Sequence, residues 1–225
     1  VITMVTDGEA LRAVTAGPDG VLAGLTGGGT LVQMSTVGVE STRALQASLP
    51  EQVGLLDAPV LGSVGEAESG TLKVFAGGSD ALVRDLGPLL SVLGTVLPVG
   101  PVGMGTAAKL VANASLLGVV SLLGEVLSLA DGLGLPTGVA HDVLATTPLA
   151  AQAERRRPVL ESRVFPPRFA LSLARKDADL IIQPDLDLRL LPAVRSWLVD
   201  AETAGSGGED TAAVLATIID APRRL

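Results

Sequence analysis

The chain of 225 residues has no cysteine, one histidine and only four aromatic residues, Phe75, Phe165, Phe169 and Trp197. Without thiols, a disulfide scaffold and a thiolate metal site are excluded, and a single histidine gives little support to a His-based triad or a metal cluster. Basic residues are also few, 16 against 24 acidic ones, for a formal net charge of -8. Neither the basic footprint nor the stacking surfaces of a nucleic-acid binder are present. No basic segment precedes an apolar core near Val1, and no cleavage pattern follows, so a signal peptide is not visible and a cytoplasmic location is expected.

What is abundant is apolar. Hydrophobic residues make up 48% of the chain, enough for a packed core in one or two domains. Between Asp85 and Lys109 there is no charge at all, a gap long enough to span a bilayer. Gly87, Pro88, Gly94, Pro98, Gly100, Pro101, Gly103 and Gly105 divide it into a helix end, a strand and a glycine loop, and the run Leu110 to Gly124 beyond is too short. No membrane span is therefore expected.

Val1 to Val5 is apolar and β-branched without polar alternation, which suits a strand buried on both faces, as in a parallel sheet. A chain that opens on a central strand suggests that part of the domain lies upstream. Thr6-Asp7-Gly8 caps a short helix through Val14. Strands are expected at Thr30–Met34, Val53–Asp57, Thr71–Ala76 and Thr95–Val99, helices at Glu40–Leu49 and Ala81–Leu93, and a loop at Asp57–Ser63. Such alternation argues for an α/β sheet with ligand groups at strand carboxyl ends. Beyond Gly105 the rhythm changes: Thr106 to Leu133 reads as one long helix. Helices follow near Thr137–Ala145, Ala150–Glu161, Leu171–Ile182, Leu191–Glu202 and Glu209–Ile219, punctuated by Pro148, Pro166–Pro167, Pro184 and Gly205–Gly208. The fold class is an α/β domain, residues 1–102, followed by an all-α domain, residues 103–225.

Gly103-Met-Gly-Thr-Ala-Ala108 matches the relaxed dinucleotide pattern G-x-G-x-x-A after a strand and before a helix. The helix is too long for a βαβ unit and leads to more helices, so the glycines read as a tight interdomain turn. Lys109 and Asn113, four apart, share a helix face. Lys109 is either a snorkelling surface lysine or an amine in an interdomain cleft, able to exchange a proton with a substrate oxygen while Asn113 orients it. Ser35–Thr36 either caps a turn or, with Gly62–Ser63 at a neighbouring strand end, supplies hydroxyls and N–H groups to a carboxylate. Lys176–Asp177 inside a helix reads as a solvated pair, and His141 as an ordinary helical residue.

Four segments in order resemble the β-hydroxyacid dehydrogenase family, the relatives of 3-hydroxyisobutyrate dehydrogenase, tartronate semialdehyde reductase and 6-phosphogluconate dehydrogenase. They are Val1-Ile-Thr-Met-Val-Thr-Asp7, Met34-Ser-Thr-Val37, Asp57-Ala-Pro-Val-Leu-Gly-Ser63 with Glu68-Ser-Gly-Thr-Leu72, and Gly100-Pro-Val-Gly-Met-Gly-Thr-Ala-Ala-Lys-Leu-Val-Ala-Asn113. Lys176–Asp177 and Gly208-Glu-Asp-Thr-Ala212 fit later landmarks of the family. The resemblance implies a Rossmann-like domain for NAD or NADP, a long interdomain helix and a helical domain that builds a homodimer. It also implies that the family's first βαβ region, with its G-x-G-x-x-G turn, has no counterpart among these residues and that the chain is a fragment.

By the same resemblance Lys109 is the general acid/base and Asn113 holds the substrate beside it. Ser35, Leu61, Gly62 and Ser63 correspond to positions binding a small carboxylate substrate, and Val5, Thr6, Thr36 and Lys176 to positions that touch the cofactor. Leu61 departs from the pattern, because many members carry Ser there, and Ser63, where Gly is common, partly compensates. Two other readings stay open. Related imine reductases usually replace the lysine with Asp or Tyr, and a non-catalytic dimeric fragment would bind no cofactor.

Overall fold

The computed structural model describes residues 1–25, 27–183 and 185–222; the break expected at Pro184 lies outside them. The chain divides into two compact units, Val1–Ala112 and Asn113–Leu225.

The first unit is built on a six-stranded sheet. Strands β1 (Ile2–Thr3), β2 (Thr30–Gln33) and β3 (Gly54–Asp57) run parallel, with Val32 beside both Ile2 and Leu56. Alternate side chains leave opposite faces, so the continuous apolar runs serve two cores. Leu31 and Leu55 pack with Leu11 of α1 (Gly8–Thr15) and Leu45 of α3 (Val39–Ser48). Val32 and Leu56 pack with Val74 and Leu90, the latter from α5 (Asp80–Leu90). A short α2 (Val21–Gly24) precedes β2.

Two expectations are corrected here. The Val1–Val5 strand is reduced to Ile2–Thr3 and is not buried on both faces, since Val1, Ile2 and Met4 are exposed. Among the described residues it pairs with β2 alone and ends the strand order, so apolar sequence did not translate into burial. The stretch Asp57–Ser63 is not all loop either. Val60–Leu61 forms β4, antiparallel to β5 (Leu72–Gly77), and the five-residue α4 (Val64–Glu68) follows. β5 also meets β3 antiparallel at Asp57 and Gly77, which turns the sheet mixed, while β6 (Gly94–Gly100) runs parallel to β5. Pro98 is tolerated in β6 because, among the described residues, that strand pairs with β5 alone.

α6 (Met104–Gly132) is the long helix, 29 residues. By length and composition it is long and apolar enough to cross a membrane, which a reading that let Lys109 and Glu125 bound the run did not allow. Its buried side chains nevertheless include Asn113 and Ser121 along with Leu117, Val120, Leu123 and Leu127, a core-helix pattern. In the second unit α7 (Thr137–Leu144), α8 (Ala150–Ser162), α9 (Leu171–Ile181), α10 (Leu190–Thr203) and α11 (Ala213–Ile219) complete the helices. Gly124 lets α11 approach closely: a Cβ there would stand 2.9 Å from Ile218. The Asp210 carboxylate accepts from Arg168 N (3.0 Å), Phe169 N (3.1 Å) and Ala212 N (3.0 Å), tying the segment before α9 to the start of α11.

Candidate active site

At the carboxyl ends of β1 and β2 the backbone of Ser35 is held by its own neighbour. Gln33, fully buried, donates Nε2 to Ser35 O (2.9 Å) and accepts Ser35 N at Oε1 (2.5 Å). Ser35 Oγ accepts Val5 N (2.8 Å), which links the two strand ends and leaves the hydroxyl proton to donate. Thr6 lies beside Asp7, whose Oδ1 accepts Ala10 N (2.8 Å) and caps α1. Sequence reasoning passed over Gln33; a polar residue at the end of the apolar run Thr30–Gln33 was the available signal.

The glycine turn before α6 has its own occupant. Asp57, at the end of β3 and fully buried, accepts Gly103 N (3.0 Å), Thr106 N (2.8 Å) and Thr106 Oγ1 (2.7 Å). Thr106 Oγ1 in turn stands 3.0 Å from Thr42 Oγ1 on α3. Burial pushes the Asp57 carboxyl up from its ordinary 3.8, against the downward pull of these hydrogen bonds, those from Thr106 first. The glycines are there for contact and turning. Gly103 has φ +93, and a Cβ on Gly105 would run into the backbone carbonyls of Asp57 and Phe75. Amides that would cradle a phosphate are spent on a carboxylate of the same unit.

The loop Leu61-Gly62-Ser63 is equally specific. Gly62 has φ +137, and a Cβ would stand 2.9 Å from Glu66 Cβ. Ser63 forms a capping box with Glu66: its N–H (2.8 Å) and its hydroxyl (2.7 Å) both donate to Glu66 Oε2. The two donors expected to meet a substrate carboxylate are therefore already engaged at Ser63. Leu61 is half-buried, paired with Lys73 across the β4–β5 ladder.

On α6, Lys109 is half-buried and Asn113, one turn on, is 1% exposed. Asn113 Nδ2 donates to Asp177 Oδ2 at 2.6 Å, and Lys176 Nζ stands 2.9 Å from Asp177 Oδ1. The Lys176–Asp177 pair is thus not solvated, because Asp177 on α9 is 2% exposed. One buried carboxylate joins two of the expected site residues, Asn113 and Lys176. α9 buries Leu171, Ala174, Ala178 and Ile181, and Asp177 flanks that same stripe, a periodicity that marks it as inward-facing.

A dinucleotide binds such folds at the carboxyl ends of the parallel strands; Val5, Thr6, Ser35 and Thr36 stand there, with the Val5 and Ser35 N–H groups taken by Ser35 Oγ and Gln33 Oε1. It does not fit the Gly103–Thr106 turn, which Asp57 fills.

Known proteins match both halves of the chain. Residues 1–105 match the NAD-binding domain of 6-phosphogluconate dehydrogenase, and residues 103–218 match the NAD-binding family of NADP-dependent 3-hydroxyisobutyrate dehydrogenase. The chain is 30% identical to 3-sulfolactaldehyde reductase of Escherichia coli strain K12, over 96% of its own length and 75% of that protein. It is 29% identical to 2-(hydroxymethyl)glutarate dehydrogenase of Eubacterium barkeri, over 96% and 74%. Among solved structures, the 3-hydroxyisobutyrate dehydrogenase of Salmonella typhimurium superposes with a TM-score of 0.82 at 27% identity, covering 96% of this chain and 78% of that one. Both matched family models are NAD-binding, and the cofactor is NAD or NADP. Together these matches place the chain in the β-hydroxyacid dehydrogenase family.

Proposed function

We propose that this protein is a nicotinamide-dependent oxidoreductase that interconverts a small β-hydroxy acid and the corresponding semialdehyde or keto acid, with Lys109 as general acid/base. The observation that carries this is the pairing on α6 of a half-buried lysine with a carboxamide one turn later that is fixed on a buried carboxylate. An amine in a long apolar stretch of a helix, beside a locked amide, suits proton exchange with a substrate oxygen.

When bound, NAD or NADP would supply the hydride chemistry, reduction of a carbonyl carbon or oxidation of the alcohol. Lys109, as the ammonium, gives its proton to the carbonyl oxygen as the alcohol forms, and as the free amine takes the hydroxyl proton in the reverse direction. Asn113 holds that oxygen in place. Ser35 donates its hydroxyl proton toward the acid group, while Leu61 offers no donor and Ser63 has given its own to Glu66. Acid recognition therefore relies on fewer hydroxyls than the family pattern provides, which favours substrates with an apolar portion near Leu61. Lys176 is proposed to touch the cofactor.

The helical half carries the support for a homodimer. Leu122, Leu129 and Leu133 on and just after α6, and Val139 and Val143 on α7, are exposed apolar side chains. Leu122, Leu129 and Leu133 recur at helical spacing along one stripe.

The test is an assay of protein expressed from its complete coding sequence. NADH and NADPH oxidation is followed with short aldehydes bearing a carboxylate or sulfonate, and with the matching alcohols in reverse. Turnover with at least one nucleotide and an acid-bearing aldehyde is expected; no turnover of any such aldehyde with either nucleotide would rule the reading out.

A further inference from the structure

We propose that Glu66 is a specificity-determining residue, a carboxylate of the chain's own that occupies the donors of Ser63 and turns the enzyme toward aldehydes with one acid group and away from those with two. The inference rests on the function proposed above, in which the Leu61–Ser63 loop meets the substrate, and it narrows the substrate class. A hydroxyl and a backbone N–H on one residue make a two-donor clamp for a carboxylate oxygen. At Ser63 that clamp is closed on Glu66: the N–H and the hydroxyl converge on a single oxygen, Oε2, at 2.8 and 2.7 Å. The arm that carries the carboxylate lies along the loop, since a Cβ on Gly62 would stand 2.9 Å from Glu66 Cβ and 3.4 Å from its Cγ.

Helix capping accounts for only part of this. A capping box uses the Ser63 N–H as donor to the Glu66 side chain and the Ser63 oxygen as acceptor for the Glu66 backbone. It does not call for the hydroxyl proton, which here goes to the same carboxylate and satisfies no backbone group of α4. What the second bond changes is the face the loop offers to a ligand, where two donors give way to a carboxylate that only accepts. An incoming acid group finds both Ser63 donors taken and meets a like charge that water screens in part, Glu66 being half-buried. One acid group is served by the Ser35 hydroxyl, whose proton is left to donate. A second, arriving at the Leu61–Ser63 loop, is repelled. Specificity is a difference of affinities, and a repulsive group creates it as well as an attractive one does.

The experiment uses protein expressed from its complete coding sequence and measures KM for a short aldehyde with one carboxylate and for its analogue with a second. Wild type, Glu66→Gln, Glu66→Ala and the double variant Glu66→Ala with Ser63→Ala are compared. Glutamine still accepts the Ser63 donors and keeps the cap while removing the charge, whereas alanine releases the donors as well. In wild type the diacid KM should lie about tenfold or more above the monoacid KM. That ratio should fall about threefold in Glu66→Gln, where only the charge is lost. It should fall about ten- to a hundredfold in Glu66→Ala, the range for hydrogen bonds to a charged group, and the added Ser63→Ala should reverse part of that fall. A residue that only caps α4 moves both KM values together and leaves their ratio in place. The proposal is overturned if wild type takes the diacid as well as the monoacid, if the ratio is the same in wild type, Glu66→Gln and Glu66→Ala, or if Ser63→Ala reverses none of the fall. Should Glu66→Ala not fold, Glu66→Gln carries the test: a lowered ratio supports the proposal and an unchanged one overturns it. Wild-type protein that turns over no acid-bearing aldehyde with either nucleotide would overturn the functional reading and this role with it, while turnover of the monoacid with a ratio that Glu66 does not move would overturn this role alone.

Discussion

Replacing Asp57 with alanine removes the acceptor that Gly103 N, Thr106 N and the Thr106 hydroxyl share. The hydroxyl loses least, because Thr42 Oγ1 stands 3.0 Å away and can accept. Two backbone N–H groups remain buried without an acceptor, at about 1–3 kcal/mol each, so roughly 4 kcal/mol together. Against this, the variant no longer buries a carboxylate, a cost visible in the upward push on its pKa, and the net loss becomes about 3 kcal/mol. Urea unfolding followed by circular dichroism near neutral pH measures it, and a thermal scan should show a drop of about 6–12 °C for a chain of this size. A loss under about 1 kcal/mol would refute the assignment of this carboxylate as the cap of α6. The pH dependence has a definite sign. Burial raises the folded pKa above the ordinary 3.8, so the folded chain holds this proton more tightly than the unfolded one. The stabilisation is complete below 3.8 and is lost as pH rises through the folded value. Asp57→Asn does not titrate, so the stability difference between wild type and that variant should narrow with rising pH across the window. A difference that widens would mean the hydrogen bonds outweigh burial.

Gly105→Ala should cost about 3 kcal/mol or prevent folding, because its Cβ would meet backbone carbonyls that have no room to move; an unfolding midpoint equal to wild type would contradict the close approach. Leu61→Ser restores a hydroxyl at the rim and should lower KM for acid-bearing aldehydes about three- to tenfold, whereas a raised KM would take Leu61 out of the substrate contact. Leu129→Glu with Leu133→Glu places charge on the exposed apolar stripe of the helical unit. Sedimentation should show a dimer for wild type and a monomer for the double variant; a wild-type monomer at micromolar concentration would remove the dimer.

The elements that periodicity and glycine punctuation could mark were legible in the sequence. α6 stood out because Thr106 onward holds helix formers with no strand signal, and β2 and β3 because short apolar runs end in polar residues. β4 was missed because two residues between Pro59 and Gly62 carry no period, and only pairing with β5 makes them a strand. α4 had a readable signal in Ser63 and Glu66 three residues later, the capping box. β1 misled for a different reason: apolar composition says what a strand prefers to face, while its neighbours decide what it meets. Lys109 and Asn113 were visible as a spacing on one helix, but the partner that fixes Asn113 lies 64 residues away on another, and no local pattern reaches that far. The same holds for Asp57 and the turn at Gly103, a contact across 46 residues.

The central claim is that Lys109 moves the proton. Its most direct test is the rate of nicotinamide-dependent reduction of an acid-bearing aldehyde by Lys109→Ala, measured beside wild type and beside imine reduction. The account predicts a kcat lower by about two to four powers of ten for the aldehyde. A Lys109→Ala enzyme that reduces the aldehyde at the wild-type rate would contradict it.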